Sequence, residues 1–322
     1  MKIGNAEIEN PLFLGPMAGI TDETYRTICS EMGCDVTVTE MVSAKGLHYK
    51  DLKTKKLIAI NESEKIAGIQ IFGSDPNIMA EAAEKLENSK NNFLDINMGC
   101  PVPKVVKNGE GSALMKNPEL AARIVEKVVE STKKSVSVKM RIGWDEVNVN
   151  VVDFALRIEA AGADFITVHG RTRDQYYFGK ADWDIIARVK ELLQIPVVLS
   201  GDVVDGPSAA RALKITGCDG LMIARAAKGN PWIFSEVRHF LEKGYEIESP
   251  SYREKVQMAK FHFTRLVENK EAYIAGREFR KHSAWYLKGI PNSASVKNKI
   301  NQAENPEEIF ALLDTLLIAE GV

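Results

Sequence analysis

Leu94-Asp95-Ile96-Asn97-Met98-Gly99-Cys100-Pro101-Val102-Pro103 begins as a strand and ends as something neither a strand nor a helix can continue. Residues 94–97 alternate as in a short buried strand. Gly99 reaches backbone angles closed to other residues, and Pro101 and Pro103 lack the N–H that a ladder or helix needs. Pro101 also pushes Cys100 towards extended backbone, so the thiol rides on a stiff loop. Asn97 sits three residues earlier, at the carboxyl end of the strand, which is where an α/β barrel keeps its chemistry. Taken alone, the stretch is also a tight turn with an incidental cysteine. The chain around it decides.

Working outward, short apolar runs occur at residues 12–14, 36–38, 66–71, 93–97, 136–140, 165–168, 197–199 and 220–223. Amphipathic helical patterns fill most gaps, over residues 22–32, 76–86, 118–130, 149–161, 183–193 and 207–215. The second gap is irregular and charged, and reads as a loop with one short helix. Eight β units with crossover helices predict a closed parallel TIM (β/α)8 barrel. An open doubly wound sheet would want G-x-G-x-x-G after the first strand, and none is there. Residues 2–8 read as a hairpin turning at Gly4-Asn5. After a helical pattern at 232–241, residues 244–250 read as a linker. Helical patterns alone follow, over 252–266, 274–287, 295–302 and 306–319. The expected division is a barrel over residues 1–245 and a helical domain over 246–322.

The 322 residues, 45% apolar and 27% charged, are ordinary for a soluble globular protein. A net charge of −2 gives no global sign of nucleic-acid binding, so any basic surface must be local. Between Arg253 and Lys299 eleven Lys/Arg face four Asp/Glu. That excess fits a solvated bundle or an RNA-binding surface. Cys29, Cys34, Cys100 and Cys218 form no CxxC pair and no zinc spacing, so reduced thiols, a cytoplasmic location and no metal are expected. No apolar run approaches the length of a membrane span, and the first residues lead straight into a strand-like segment. Neither membrane attachment nor a signal peptide is expected, and a monomer is.

The strand ends supply Pro16, Met17 and Ala18 after the first strand, Gln70 in the third, and Asn97 with Cys100 at the fourth. Lys139 and Arg141 end the fifth, His169 and Arg171 the sixth. Ser200, Gly201 and Asp202 follow the seventh, and Ala224 and Arg225 the eighth. Amides, cations, a histidine and a thiol suit an organic cofactor better than a metal. Barrels often bind phosphate with the loops after strands seven and eight; Gly201 allows close backbone approach, and Arg225 adds charge. Lys139 is then placed near the far end of a flavin, where a cation stabilises negative charge on the reduced ring. Singly, each residue also has a structural reading: Gln70 capping backbone, Lys139 paired with Asp95, His169 bonded in the core.

The chain resembles the flavin-dependent tRNA-dihydrouridine synthases, most closely their bacterial B-type branch. The likeness rests on Gly15-Pro16-Met17-Ala18-Gly19-Ile20-Thr21-Asp22, Thr39-Glu40-Met41, Asp95 to Pro101, Val168-His169-Gly170-Arg171-Thr172, and Arg280-Lys281-His282 with Trp285-Tyr286. It implies that FMN contacts Pro16–Ala18, Gln70, Lys139, Ser200–Asp202 and Ala224–Arg225, with His169 beside them. It implies too that NADPH is the reductant and Cys100 the catalytic acid. Asn97, Arg141 and Arg171 become candidates to bind the uridine and nearby phosphate, while Lys104 with Lys107, and Arg277, Arg280 and Lys281 in the tail, are candidates to grip tRNA. Two positions depart from the pattern: Ser200 stands where Asn is usual, and Ala224 where Gly is. Both are expected to be tolerated, because backbone N–H groups do most of the phosphate binding. A flavin enzyme for a free pyrimidine would not need the basic tail. A non-catalytic RNA-binding protein would have no use for Cys100.

Overall fold

The computed structural model describes residues 1–4, 6–49 and 51–319. Apolar side chains on both faces of a short run are what a strand covered on both sides requires. Eight such strands form the barrel: Leu12–Leu14, Val36–Val38, Ile66–Phe72, Phe93–Met98, Ser135–Arg141, Phe165–His169, Val197–Ser200 and Gly220–Ile223. Each pairs in parallel with the next. The ring closes where the eighth meets the first, Leu221 beside Leu12 and Ile223 beside Leu14, so no barrel edge is left open. Lys2–Ile3 and Ala6–Glu7 pair as the expected hairpin. Of its predicted turn, Gly4 has φ 56° and Asn5 lies outside the described residues. Ile3 is fully buried with Phe13, Phe93, Phe165 and Met222, so the hairpin seals one end of the barrel interior.

A repeated device fixes where strands enter. Asp35, Asp164 and Asp219 each follow a glycine and a small residue at the end of a helix. Their carboxylates accept the N–H of Leu12, Val136 and Val197 at 2.8, 2.7 and 2.7 Å. The backbone N–H of each aspartate donates to the carbonyl of that same residue. Each strand entry is thus gripped at both polar groups, and a hydrogen bond to a charged acceptor contributes roughly 1.5–3 kcal/mol.

The segment after the second strand is more ordered than its sequence suggests. A short strand at Val42–Ser43 joins the ring edge at Ile71–Phe72, followed by helices Ala44–His48 and Leu52–Leu57. Arg26, almost fully buried, organises it by bonding both oxygens of Glu64 and the carbonyls of Thr21 and Ala59. A buried ion pair has no apolar period, which is why the pattern gave no sign of it. Likewise the turns Pro103–Val106 and Gly111–Lys116 are too short for helical periodicity to show.

Helices Tyr252–Asn269, Ala272–Tyr286, Ser293–Gln302 and Pro306–Ala319 make up the tail. It packs on Glu23–Glu31, the helix after the first strand, with Tyr25 stacked on His262 at a centroid distance of 5.3 Å. Several tail cations are spent on docking: Arg265 pairs with Glu31, Lys270 with Asp22 and Glu278, and Lys281 bonds the carbonyl of Gly19. The excess of basic residues is therefore partly internal. At Gly229 (φ 65°) a Cβ would lie 2.6 Å from the backbone of Trp285 and Tyr286, so only glycine lets the tail approach the loop after the eighth strand this closely. No helix among the described residues is long and apolar enough to cross a membrane.

Candidate active site

The carboxyl ends of the strands open into a cavity of about 890 Å³. Pro16, Met17, Ala18, Gln70, Asn97, Cys100, Lys139, Arg141, His169, Ser200, Gly201, Asp202, Ala224 and Arg225 all line it. Arg171, Lys104, Arg277, Arg280 and Lys281 do not.

The wall that carries the thiol is built on a chain of side-chain hydrogen bonds. Buried Asp95 accepts Ser137 Oγ at 2.6 Å and Gln70 Nε2 at 2.6 Å. Gln70 Oε1 accepts Asn97 Nδ2 at 2.8 Å, and Asn97 Oδ1 accepts the N–H of Gly99 and Cys100 at 3.2 and 2.9 Å. Gln70 therefore caps no backbone group with its amide, and no ion pair between Lys139 and Asp95 occurs among the described residues. Asn97 lines the cavity, but its carbonyl is committed to the loop and its Nδ2 to Gln70 Oε1 and, at 4.0 Å, to Met41 Sδ, which leaves little of the direct substrate contact expected of it. From the other side Arg141 Nε donates to Gly99 O at 2.9 Å, and Ser112 donates twice to Cys100 O. The stiff loop read from Pro101 is fixed on both flanks.

Burial pushes the Cys100 thiol above its ordinary value, against the pull of the Val102 backbone and the charges of Arg141 and Lys139. Burial lowers Lys139 to about 8, with Arg141 adding to the effect and Asp95 opposing it. It raises Asp95 to about 6 against the donors Gln70 and Ser137. His169 is held well below its usual value by burial and by Lys139, Arg141, Arg171 and Arg225, so it is neutral at pH 7. The site thus keeps a protonated thiol beside cations, and a neutral imidazole.

Opposite the thiol lie the ends of strands seven and eight. The backbone N–H groups of Gly201, Asp202 and Ala224 have no backbone acceptor among the described residues. Gly201 has φ 117°, and a Cβ there would sit 2.9 Å from Ala181 Cβ and 3.0 Å from His169 Cδ2. Any larger residue here would collide with Ala181 and His169 and be strained by the positive φ. Arg225 begins a single 3-10 turn, Arg225–Ala227, and contacts Asp202 at 3.2 Å. Asp202 itself accepts Arg171 Nη2 at 2.8 Å and Ala181 N at 2.7 Å.

Arg171 departs most from its expected part. Its side chain is 2% exposed, and its guanidinium is taken by Asp202 and the carbonyls of Phe178 and Gly179. It positions Asp202 and the neighbouring loop instead of reaching a ligand. In the tail, Arg277 is exposed beside Tyr273, Arg280 is half-buried and donates to Ala303 O, and Lys281 is held by Gly19. Lys104 is exposed near the cysteine loop. Sequence reasoning missed Met41, Tyr177, Val204 and Lys228 on the cavity wall. They come from loops, and the usable signals were the three aromatics Tyr176-Tyr177-Phe178 following His169-Gly170-Arg171-Thr172 and the Thr39-Glu40-Met41 segment. Among the described residues no cluster of three or more His, Cys, Asp or Glu is arranged to hold a metal.

A profile described as dihydrouridine synthase (Dus) matches residues 13–320. The chain belongs to the dihydrouridine synthase family. It is 39% identical over 307 residues to a probable tRNA-dihydrouridine synthase of Rickettsia conorii, covering 95% of this chain and 93% of that one. To tRNA-dihydrouridine synthase B of Vibrio parahaemolyticus it is 39% identical over 314 residues, covering 97% of each. Among solved structures, a histamine dehydrogenase from Rhizobium sp. 4-9 superposes with a TM-score of 0.57 at 15% identity, over 76% of this chain and 47% of the other. A variant of NCR from Zymomonas mobilis gives 0.55 at 16%, over 78% and 92%. These two likenesses concern the barrel fold. The residues expected at the strand ends, Arg171 apart, line this cavity.

Proposed function

We propose that this enzyme reduces the C5=C6 bond of a uridine in tRNA, with FMN held at the strand ends and NADPH as its reductant. The observation that carries the reading is a proton-bearing, half-buried thiol fixed across one cavity from an anion cradle. The relatives named as tRNA-dihydrouridine synthases supply the substrate class.

The cavity fits FMN. Unpaired N–H groups at Gly201, Asp202 and Ala224, with the Arg225 cation, suit one phosphate. Ser200 and Ala224 leave these backbone groups in place, consistent with their being tolerated. Gln70 and Lys139 line the part of the wall nearer Cys100. Among the described residues no second phosphate cradle favours FAD, and the sequence carries no dinucleotide fingerprint. Bound there, reduced FMN would supply the hydride that C6 of the uracil ring accepts.

C6 is conjugated through C5 to the C4 carbonyl, so hydride addition leaves a charge that only a proton at C5 removes. Cys100 holds that proton: a thiol of ordinary pKa, about 8.5, is already mostly protonated near neutrality, and burial pushes Cys100 further that way, whereas an ordinary carboxyl would already be ionised. Lys139 and Arg141 stand beside the thiol and favour both the thiolate left behind and negative charge on a carbonyl oxygen. The uridine must leave its stack to reach this depth. Arg277 and Lys104 are the exposed cations best placed by sequence and burial to hold the surrounding backbone, with residues 246–322 acting as the tRNA-binding domain.

Flavin-loaded enzyme should be given NADPH with either unmodified tRNA or free uridine, and the nucleosides analysed by mass spectrometry. Dihydrouridine is expected from the tRNA alone. Equal reduction of free uridine would assign the cavity to a small-molecule reductase, and a colourless protein unable to take up FMN would remove the flavin.

A further inference from the structure

We propose that the loop after the sixth barrel strand is a stacking platform on which Phe178, flanked by Tyr177, receives the base of a nucleotide next to the uridine that enters the cavity. This rests on the tRNA-reducing reading above and extends it to a second contact, on the barrel itself.

Tyr177 lines the cavity and is 54% exposed; Phe178, one residue on, is 81% exposed. An apolar ring in water at a loop tip needs no explanation when the loop is loose. Here the loop is fastened from beneath by three arginines to three consecutive carbonyls. Arg141 Nη1 donates to Tyr176 O at 2.9 Å, Arg225 Nη1 to Tyr177 O at 3.3 Å, and Arg171 Nε to Phe178 O at 3.0 Å. Tyr176 is held at φ 49°, a conformation that costs energy for a residue with a side chain, and its hydroxyl donates to Pro101 O in the cysteine loop at 3.1 Å. The platform and the thiol loop are therefore tied together.

The rings differ in their surroundings. Tyr177 has the guanidiniums of Arg225 and Arg141 at 5.1 and 5.9 Å from its centroid. Phe178 has no ring or cation partner among the described residues. Gly179 and the exposed Lys180 follow it, so it is a lone ring among polar groups and not part of a broad apolar face of the kind that docks another protein. Nucleobases stack on such rings whatever their identity, and cations nearby draw in the phosphate backbone. Because the loop is already fixed, stacking requires little further ordering. The position suits the base beside the target, since Tyr177 already belongs to the wall that the uridine itself would meet.

The test is the affinity for unmodified tRNA at one fixed salt concentration, measured by fluorescence anisotropy on wild type, Phe178→Ser, Phe178→Leu and Phe178→Trp. Loss of one base–aromatic stack should weaken the serine variant about five- to 150-fold. Leucine should fail similarly, because it is apolar but cannot stack, and tryptophan should hold or improve the affinity. Wild-type affinity in the serine variant, or in the leucine variant, would overturn the platform while leaving the tRNA-reducing reading intact. No binding of tRNA by the wild-type enzyme would overturn both.

Discussion

Asn97 Oδ1 accepts the backbone N–H of Cys100 at 2.9 Å, while the same amide donates to Gln70. The residue that sequence suggested for holding substrate therefore holds the loop that carries the Cys100 thiol. Asn97→Ala would leave the N–H groups of Gly99 and Cys100 without their acceptor, at a cost of roughly 1–3 kcal/mol for each that stays buried. We expect a lower melting temperature and slower reoxidation of reduced flavin by tRNA, with FMN still bound. Thermal melts and stopped-flow absorbance check the two effects. An unchanged reoxidation rate in a destabilised variant would confine Asn97 to stability.

Cys100→Ala removes the proposed acid while leaving Gly201 and Arg225, the proposed phosphate site, unchanged. Flavin binding and reduction by NADPH should stay near wild type. The tRNA-dependent reoxidation should slow by about 10²–10⁴-fold, the usual worth of general-acid catalysis. Near-normal reoxidation would mean that the thiol only fills the turn.

The Cys100 thiol should also behave as one whose proton is held tightly. Burial raises its pKa, so in the enzyme stripped of flavin its alkylation by iodoacetamide should rise with pH to a midpoint above that of an ordinary thiol. Cys29, Cys34 and Cys218 are buried, so the label should fall first on Cys100. Peptide mass spectrometry across a pH series reads both the site and the midpoint; a midpoint near neutrality would make Cys100 a poor store of protons.

Acid should loosen the tail through His262, which is fully buried between Tyr25, His282 and Tyr286. Burial, with Lys270 and Arg265 nearby, lowers its pKa to about 3. In the unfolded chain the same imidazole takes a proton below about pH 6.5. Its contribution to stability is thus complete above about 6.5 and is lost as pH falls towards 3, by up to roughly 1.4 kcal/mol per pH unit. His262→Phe should flatten the fall of melting temperature between pH 6.5 and 4. A parallel decline in both proteins would place the acid sensitivity elsewhere.

Much of the barrel was legible because each strand must be apolar on both faces and each crossover helix on one. The ends of strands seven and eight were legible too: Gly201 and Arg225, read from the sequence, both line the cavity. The ordered segment around Arg26 and Glu64 was not, because one buried ion pair leaves no periodic trace. Neither were Asp35, Asp164 and Asp219, whose common spacing before a strand is visible only once their partners at Leu12, Val136 and Val197 are known.

The sequence by itself determined the eight barrel strands, the order of the long helices and which residues stand at the strand ends, since periodicity and chain direction fix these locally. Tertiary structure alone decided how those side chains are employed. Arg171 and Arg141 look alike as cations at strand ends and both are buried, yet one is taken up by Asp202 away from the cavity wall, while the other holds the carbonyls of Gly99, Thr172 and Tyr176 on the wall beside Cys100. The basic tail likewise divides into cations that dock it, such as Lys270, and cations left outside, such as Arg277. A charge takes its role from the partners that desolvate or neutralise it, and those partners come from distant parts of the chain.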